Sequence, residues 1–209
     1  MPEAVLPADR RTLWAGLLIL LAAAAAVLDG FHASLYVDDN YSFPFDGTVA
    51  HRIADALLLA GFIVLALVRR GGQRVSGDSF GARVALVAFA AFRPVNAIVL
   101  AATIDDLQTR SWAAIALRLV LLLLGAYAAV SIMRAAVIDR WARRLLVMAV
   151  GAQMLLSVLV TTPSLVLLQL GASLWLLWPL SLAALGAGLL VDGRRAPIRR
   201  GVEAIRAGW

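Results

Sequence analysis

A cationic side chain, a proline and an amide interrupt one long apolar run of this sequence. The run covers residues 84–104 and carries Arg93, Pro94 and Asn96 near its middle. It is long enough to cross a bilayer. An arginine at the centre of a spanning helix costs roughly 2.5 to 3.5 kcal/mol on insertion scales, so its side chain should face protein, water or a solute. Pro94 has no N–H to donate to the carbonyl of Ala90, which leaves an acceptor at nearly the same depth.

Other apolar runs carry polar residues at similar predicted depths. Asp55 and Arg118 each lie one to two helical turns inside their runs and would form an ion pair, because isolated charges at that depth are costly. Gln153 should lie at the depth of Arg93. The sequence thus predicts a polar track that binds or conducts a small polar or anionic solute, made of Arg93, Asn96, Arg118, Asp55 and Gln153. The alternative is that these residues only fix helix register or face a partner subunit.

The histidines form a second group of residues that could do chemistry. His32 and His51 lie near the ends of the longest connection, and His51 and Asp55 are four residues apart, on one helical face. Nitrogen and oxygen ligands for a divalent metal could converge there, with oxygens from Asp29, Asp38, Asp39 or Asp46. The spacing matches no established metal motif, so His32 and His51 are weak metal candidates, and capping or hydrogen bonding is the alternative. No motif identifies a cofactor.

Composition defines the class of protein. Hydrophobic residues make up 62% of the 209 residues, only 15% are charged, and the mean hydropathy is +0.88, which is typical of an integral membrane protein. The sequence has no cysteine, which excludes disulfides and thiolate ligands, and no lysine, which excludes a Schiff-base cofactor. It also lacks Gly-x-Ser-x-Gly, His-Glu-x-x-His and phosphate-binding glycine motifs, so an enzyme is the less favoured reading.

Hydropathy predicts an all-α bundle of transmembrane helices in a single membrane domain. The predicted spans are residues 12–28, 50–68, 82–104, 112–133, 145–160 and 165–190. Between spans five and six the chain should break at residues 161–164, and Pro179 should kink span six. An acidic and aromatic loop is predicted over 29–49 and a basic tail over 192–209. The connection around Trp141 is predicted to lie along the membrane interface.

The arginines predict the orientation of the bundle. Of the 19 basic residues, all arginine, fifteen fall in segments on one side of the predicted spans, whereas Arg52 and Arg110 lie on the other. The positive-inside rule then places both termini in the cytoplasm and loop 29–49 outside. The net charge of +6 therefore indicates contact with anionic lipid and not with nucleic acid. A chain with arginine but no lysine, rich in alanine and leucine, suits the inner membrane of a bacterium with a GC-rich genome.

Small residues supply the rival functional hypothesis. Helix faces rich in glycine and alanine let neighbouring backbones approach closely. Such faces could bind a second copy or another membrane subunit, in which case the chain is a structural or accessory subunit that transports nothing; they contain Gly125, Ala129, Gly151, Gly171, Gly186, Ala187 and Gly188. A metal-dependent enzyme at the outer face is a third hypothesis. The partners expected from sequence are thus the lipid bilayer, a small polar solute and a membrane subunit.

Overall fold

A computed structural model describes residues 9–35, 47–70, 73–77, 79–102, 107–161 and 165–207. Its seven helices are α1 (Arg10–Leu35), α2 (Gly47–Ala66), α3 (Phe80–Ala102), α4 (Leu107–Ala135), α5 (Arg140–Thr161), α6 (Leu165–Ser173) and α7 (Leu177–Ala207). Two short strands, β1 (Arg69–Arg70) and β2 (Gln73–Arg74), pair antiparallel with Arg69 opposite Arg74. The all-helical prediction is therefore confirmed, apart from this hairpin.

The helices form a closed ring. In order around it, α1 packs against α2, α2 against α3, α3 against α4, α4 against α5, α5 against α7, and α7 against α1; α6 packs on α5. Neighbours run antiparallel, as α1 and α2 illustrate: Asp29 meets His51 at one end, and Asp9 meets Arg70 at the other. We call these the histidine end and the hairpin end. The closing contact between α7 and α1 joins elements far apart in sequence.

Apolar side chains fill the inside of the ring. The rings of Phe62 and Phe89 lie 6.2 Å apart, and Phe89 meets Trp178 edge-on at 6.4 Å. We call these three residues the aromatic floor. Toward the hairpin end the fully buried side chains are aliphatic, and they include Leu65, Leu86, Ile132, Leu146 and Leu189. Between helices in lipid, close van der Waals packing of this kind replaces the hydrophobic effect as the source of association.

The outer surface of the ring is apolar as well. Leu123 is 72% exposed and Met148 61%, a pattern that suits contact with lipid tails and not with water. Within the described part of the chain, four helices contain stretches long and apolar enough to cross a bilayer: Arg10–Phe31, Val49–Ala66, Ile115–Ala135 and Arg140–Leu159. In α3 the described apolar stretch is Phe80–Phe92. The chain has the build of a multi-pass membrane protein.

Helices α1 and α7 approach most closely at a pair of glycines. A Cβ atom on Gly16 would lie 2.8 Å from the carbonyl oxygen of Gly186, and a Cβ on Gly186 would lie 2.8 Å from that of Gly16. Neither position has room for a side chain, because the atoms in the way belong to the backbone. A run of five alanines, residues 22–26, lies one turn and more beyond Gly16, and its members Ala22 and Ala23 are buried.

The region predicted as span six differs from its prediction. Instead of one kinked helix, the chain forms α6, a turn over 174–176, and α7. Pro179 is the third residue of α7, in the first helical turn, where a missing N–H costs nothing. The chain therefore breaks before the proline and does not bend at it. Pro94, in contrast, lies within α3, which continues to Ala102.

The hairpin-end connections also depart from prediction. The basic tail is not a separate segment, because α7 continues through it to Ala207. The predicted interfacial piece around Trp141 is wrong: residues 136–139 form a short link with Ile138 buried, and Trp141 already belongs to α5. The β-hairpin was not predicted, since two-residue strands are too short for an alternating pattern. After it, Gly77 adopts φ +71°, which a side chain would disfavour.

The glycine contact gives a testable prediction. Gly186→Ala should lower the free energy of unfolding by about 1 to 3 kcal/mol, because the added methyl group must displace backbone atoms of α1. Gly151→Ala is the matched control, since no atom lies within 4 Å of a Cβ there, and it should be neutral or stabilise by up to about 1 kcal/mol. Thermal unfolding of both variants in the same detergent measures the difference. Equal effects would contradict the packing described.

Candidate functional site

Asp55 lies on the inner side of α2, beneath His51. The residue is 7% exposed and belongs to the buried stripe of α2 that continues with Leu58, Phe62 and Leu65. His51 lies between two carboxylates: its Nδ1 is 2.9 Å from Oδ2 of Asp29 on α1, and its Nε2 is 3.5 Å from Oδ2 of Asp55. The first contact crosses between helices and joins α1 to α2 at the histidine end. The predicted hydrogen-bonding role of His51 is therefore confirmed.

Arg118 lies on the inner side of α4. Four buried positions follow it at intervals of three, seven, ten and fourteen residues: Leu121, Gly125, Ala128 and Ile132. This spacing keeps one face of a helix. Arg118 is half-buried, and its Nη1 atom is buried without a hydrogen-bond partner among the described residues. A guanidinium donor in that position is costly unless a partner reaches it.

Packing across the ring shows which residues share a depth. Phe62 contacts Phe89, and Phe89 lies against Gly125, so these positions of α2, α3 and α4 are level. Seven residues toward the histidine end, about 10.5 Å along each helix, lie Asp55, Asn96 and Arg118. We call these three positions the polar layer. The side chain of Asn96 lies outside the described set, as does that of Arg93, so its place in the layer is given by the α3 backbone alone.

The sequence predicts two side-chain pairs, Asp55 with Arg118 and Arg93 with Gln153, and in each pair the two helices are not neighbours in the ring. Among the described contacts, Asp55 and Arg118 do not form the predicted ion pair: α3 lies between α2 and α4, Asp55 lies beside His51, and no carboxylate of a described residue pairs with Arg118. Gln153 is half-buried on α5 next to Met154, which packs on Gly125, so it lies about one turn toward the hairpin end from the level of Arg93. The helices of Gln153 and Arg93 both flank α4 and are not ring neighbours.

The structure describes only some of the residues in the metal hypothesis. The side chain of His32 and the residues Asp38, Asp39 and Asp46 lie outside the described set. Among the described residues, no three histidine or acidic side chains are grouped as metal ligands would be. His51 has both ring nitrogens directed at carboxylates, and Asp29 already bonds one of them. A metal at His32 and His51 stays a prediction.

A buried ionic cluster at the hairpin end was missed by the sequence analysis. Arg70 donates from Nε to Oδ2 of Asp9 at 2.8 Å and from Nη2 to Oγ1 of Thr12 at 3.2 Å. Its Nη1 lies 2.8 Å from Oδ2 of Asp192, an ion pair by distance without the alignment of a hydrogen bond. Side-chain exposure is 14% for Arg70, 10% for Asp9 and 4% for Asp192. One guanidinium thus joins the start of α1, the hairpin and α7.

The two carboxylates of this cluster have different surroundings. Burial raises the pKa of Asp9, but the hydrogen bonds from Arg70 and from the hydroxyl and N–H of Thr12 outweigh it and hold the pKa below its ordinary value of 3.8. For Asp192 burial dominates and raises the pKa, against the charge of Arg70 and a hydrogen bond from the N–H of Asp139. Asp139 is the last residue before α5, so the cluster also touches the link between α4 and α5.

Part of the cluster had a sequence signal. Asp9 precedes α1 and its Oδ1 accepts from the N–H of Thr12 at 3.3 Å, which is the N-cap geometry. An aspartate before an apolar run is a helix-start signal that could have been recognised. Arg70 and Asp192 had no such signal, because in sequence they belong to the basic segments that bound a span. Nothing in their spacing reveals that the two segments meet.

The ionic cluster yields a prediction about stability. Arg70→Ala leaves two buried carboxylates without their cation and should lower the free energy of unfolding by roughly 3 to 5 kcal/mol. Arg69→Ala is the control: it removes the same charge from the adjacent, exposed hairpin position. Thermal unfolding in detergent provides the comparison. Equal losses in the two variants would show that the cluster does not hold the ring together.

The lowered pKa of Asp9 gives a pH dependence. Its folded pKa lies below the unfolded value, so its contribution to stability is complete above about pH 4 and is lost as pH falls through the folded pKa. The difference in unfolding free energy between the wild-type protein and Asp9→Asn should therefore stay constant above about pH 4 and shrink below it. Denaturant unfolding over a pH series measures this difference. A difference that grows on acidification would contradict the assignment.

Comparison of the chain with protein families, with curated proteins and with solved structures gave no match.

Proposed function

We propose that this protein binds a small polar or anionic solute inside the membrane, in the polar layer between the aromatic floor and the histidine end. The observation that carries the proposal is the buried Nη1 atom of Arg118, which has no described partner on the inner side of α4. A permanently charged donor at membrane depth is rarely left in that state unless water, a solute or another chain reaches it. An anion or a polar oxygen would satisfy it.

A second donor supports the same position. Trp178 begins α7, is 6% exposed, and its Nε1 is buried without a described hydrogen-bond partner. Its ring contacts Phe89, so the indole lies at the edge of the aromatic floor. Asn96 lies seven residues from Phe89 along α3 and belongs to the polar track that the sequence predicts. Arg118, Trp178 and Asn96 together would offer hydrogen-bond donors to one solute, with Arg93 one turn deeper.

The packing favours binding from one side over an open conduit. Below the floor, buried aliphatic side chains fill the ring down to the hairpin end, where the Arg70 cluster joins four elements. No continuous polar path runs through that half among the described side chains. Conduction through the predicted track of Arg93, Asn96, Arg118, Asp55 and Gln153 would therefore require the aromatic floor to move. Solute would enter from the histidine end, where Asp29 and His51 lie.

The proposed setting is the inner membrane of a bacterium. We assign six crossings, with α6 and α7 together forming the last, and both termini on the cytoplasmic side with the arginine-rich hairpin end. The histidine end then faces outward. This orientation rests on the distribution of arginines in the sequence.

The alternative is a structural or accessory subunit that transports nothing. Its sequence support is weakened because three of the small residues pack against other helices of this same chain. Gly125 lies against Phe89 and Met154, Gly186 against Gly16, and Gly188 against Leu145. Gly151 stays open, in a groove of about 590 Å³ between α4 and α5. That groove is the surface such a partner would use.

Arg118→Gln tests the proposed solute site. The purified protein is screened for thermal stabilisation by phosphate, sulfate, acetate and neutral polar solutes. A solute present at a hundred times its dissociation constant should stabilise the wild-type protein by about 2.7 kcal/mol, and Arg118→Gln should abolish the stabilisation. Arg52→Gln is the control, because it removes an exposed arginine of the histidine end and should retain the effect.

The outcomes separate the two functions. An anion that stabilises the wild-type protein and Arg52→Gln alike, but not Arg118→Gln, supports binding in the polar layer. A stabilisation that survives in folded Arg118→Gln contradicts this site. If nothing in the screen binds and the protein purifies with one fixed membrane subunit, the accessory function becomes the working hypothesis.

A further inference from the structure

An open groove between α1 and α7 lies at the hairpin end of the ring. Its volume is about 570 Å³, within the range of ligand clefts. Apolar side chains line its length and one arginine from each helix lines its end; the lining residues are Arg10, Leu13, Trp14, Leu17, Leu190 and Arg194. The groove faces away from the inside of the ring, because Trp14 is 58% exposed and Leu17 36% exposed.

The charges of the groove have no counter-ion within the described part of the chain. The nearest acids along the sequence, Asp9 and Asp192, are both bound to Arg70 inside the ring. Arg10 and Arg194 are exposed and form no ion pair with a described residue. They lie beside the first turn of α1, where Asp9 accepts a hydrogen bond from the N–H of Thr12. An anion between these arginines would therefore meet two cations unpaired among the described residues, while the neighbouring carboxylates of Asp9 and Asp192 are engaged by Arg70.

We infer that this groove binds an anionic phospholipid, with the phosphate between Arg10 and Arg194 and an acyl chain along Leu13, Leu17 and Leu190. The apolar part and the cationic end follow one another along the helix, in the order in which a lipid presents its tail and its headgroup. Trp14 lies at the junction, the depth at which tryptophan is enriched in membrane proteins. This site is separate from the proposed solute site, which lies inside the ring.

The lipid site adjoins the ionic cluster. Gly193, next to Arg194, packs against Leu13. The hydroxyl of Thr12, the residue before Leu13, donates to Asp9. A lipid bound to Arg10 and Arg194 would clamp α1 to α7 from outside, at the level where Arg70 joins them from inside. Such a lipid should therefore raise the stability of the ring.

The test measures which lipid the protein retains. Wild-type protein is reconstituted in an equal mixture of phosphatidylglycerol and phosphatidylcholine, extracted in mild detergent, and analysed by native mass spectrometry. Retained phosphatidylglycerol should exceed phosphatidylcholine by about 25-fold, since each of the two arginines near an anionic lipid contributes roughly fivefold. Arg10→Gln with Arg194→Gln should bring the ratio to about one. Arg140→Gln with Arg144→Gln, the control at the same end, should leave it unchanged.

Other outcomes overturn the inference. A wild-type protein that retains both lipids equally has no such site, and equal losses in the two double variants indicate general charge attraction only. If inorganic phosphate added to protein in pure phosphatidylcholine stabilises it as much as phosphatidylglycerol does, and the effect needs Arg10 and Arg194, the site takes soluble phosphate and not lipid.

A second measurement needs no arginine variant. Phosphatidylglycerol brominated in its acyl chain should quench tryptophan fluorescence more than brominated phosphatidylcholine at the same mole fraction, because the bound chain lies beside Trp14. The excess quenching should disappear in Trp14→Phe. Equal quenching by the two lipids would contradict a bound phospholipid even if the double arginine variant failed to fold.

Discussion

The ring depends on one guanidinium at its hairpin end. Arg70 holds the carboxylates of Asp9 and Asp192, which lie more than 180 residues apart in sequence, and the hydroxyl of Thr12. Three nitrogen atoms fixed in a plane can satisfy three separate partners, which a lysine ammonium on a flexible stem could not do with the same geometry. Arg70 therefore fixes the positions of three segments relative to one another: the start of α1, the hairpin after α2, and α7 at Asp192. Arg11 adds to this by donating to the carbonyl oxygen of Leu67, just beyond α2.

Away from this cluster, shape holds the ring together. In lipid there is no hydrophobic drive between helices, so the α1–α7 contact depends on how closely two backbones can approach. Gly16 and Gly186 allow that approach, and their placement opposite each other fixes the register of the contact that closes the ring. The first five helices pack in chain order, whereas α7 has to return to α1. This close backbone contact therefore occurs where chain connectivity helps least.

The two ends of the ring have different chemistry. At the hairpin end, Arg70 is paired with two carboxylates and the space toward the floor is aliphatic. At the histidine end, His51 bridges Asp29 and Asp55, and the level of Arg118 follows two turns above the floor. A bundle that only needed stability would have little reason to keep an arginine without a described partner on its inner face. This asymmetry is why we favour a solute that enters from the histidine end.

The periodicity of the sequence was sufficient for the class of protein and for much of the helix pattern. Long apolar runs indicate helices in a membrane because every backbone polar group there must be satisfied within the helix. The first five predicted spans correspond to helices α1 to α5, with shifted ends. The His51–Asp55 pair was also within reach, since four residues make one helical turn. The prediction at Pro179 was wrong because a proline can either bend a helix or lie in its first turn. Pro179 lies in the first turn of α7.

What the sequence alone determined, then, is local: apolar length, helical face and the approximate depth of each polar residue along its own helix. The tertiary structure decided which helices are neighbours, and so which polar residues can meet. Asp55 and Arg118 do share a depth, but α3 separates their helices, and Asp55 lies beside His51 instead. Arg70 and Asp192, which resemble ordinary loop charges, became partners because the ring closes at α1 and α7. Depth follows from counting residues along one helix, whereas partnership depends on the order of helices around the ring, which no single segment contains.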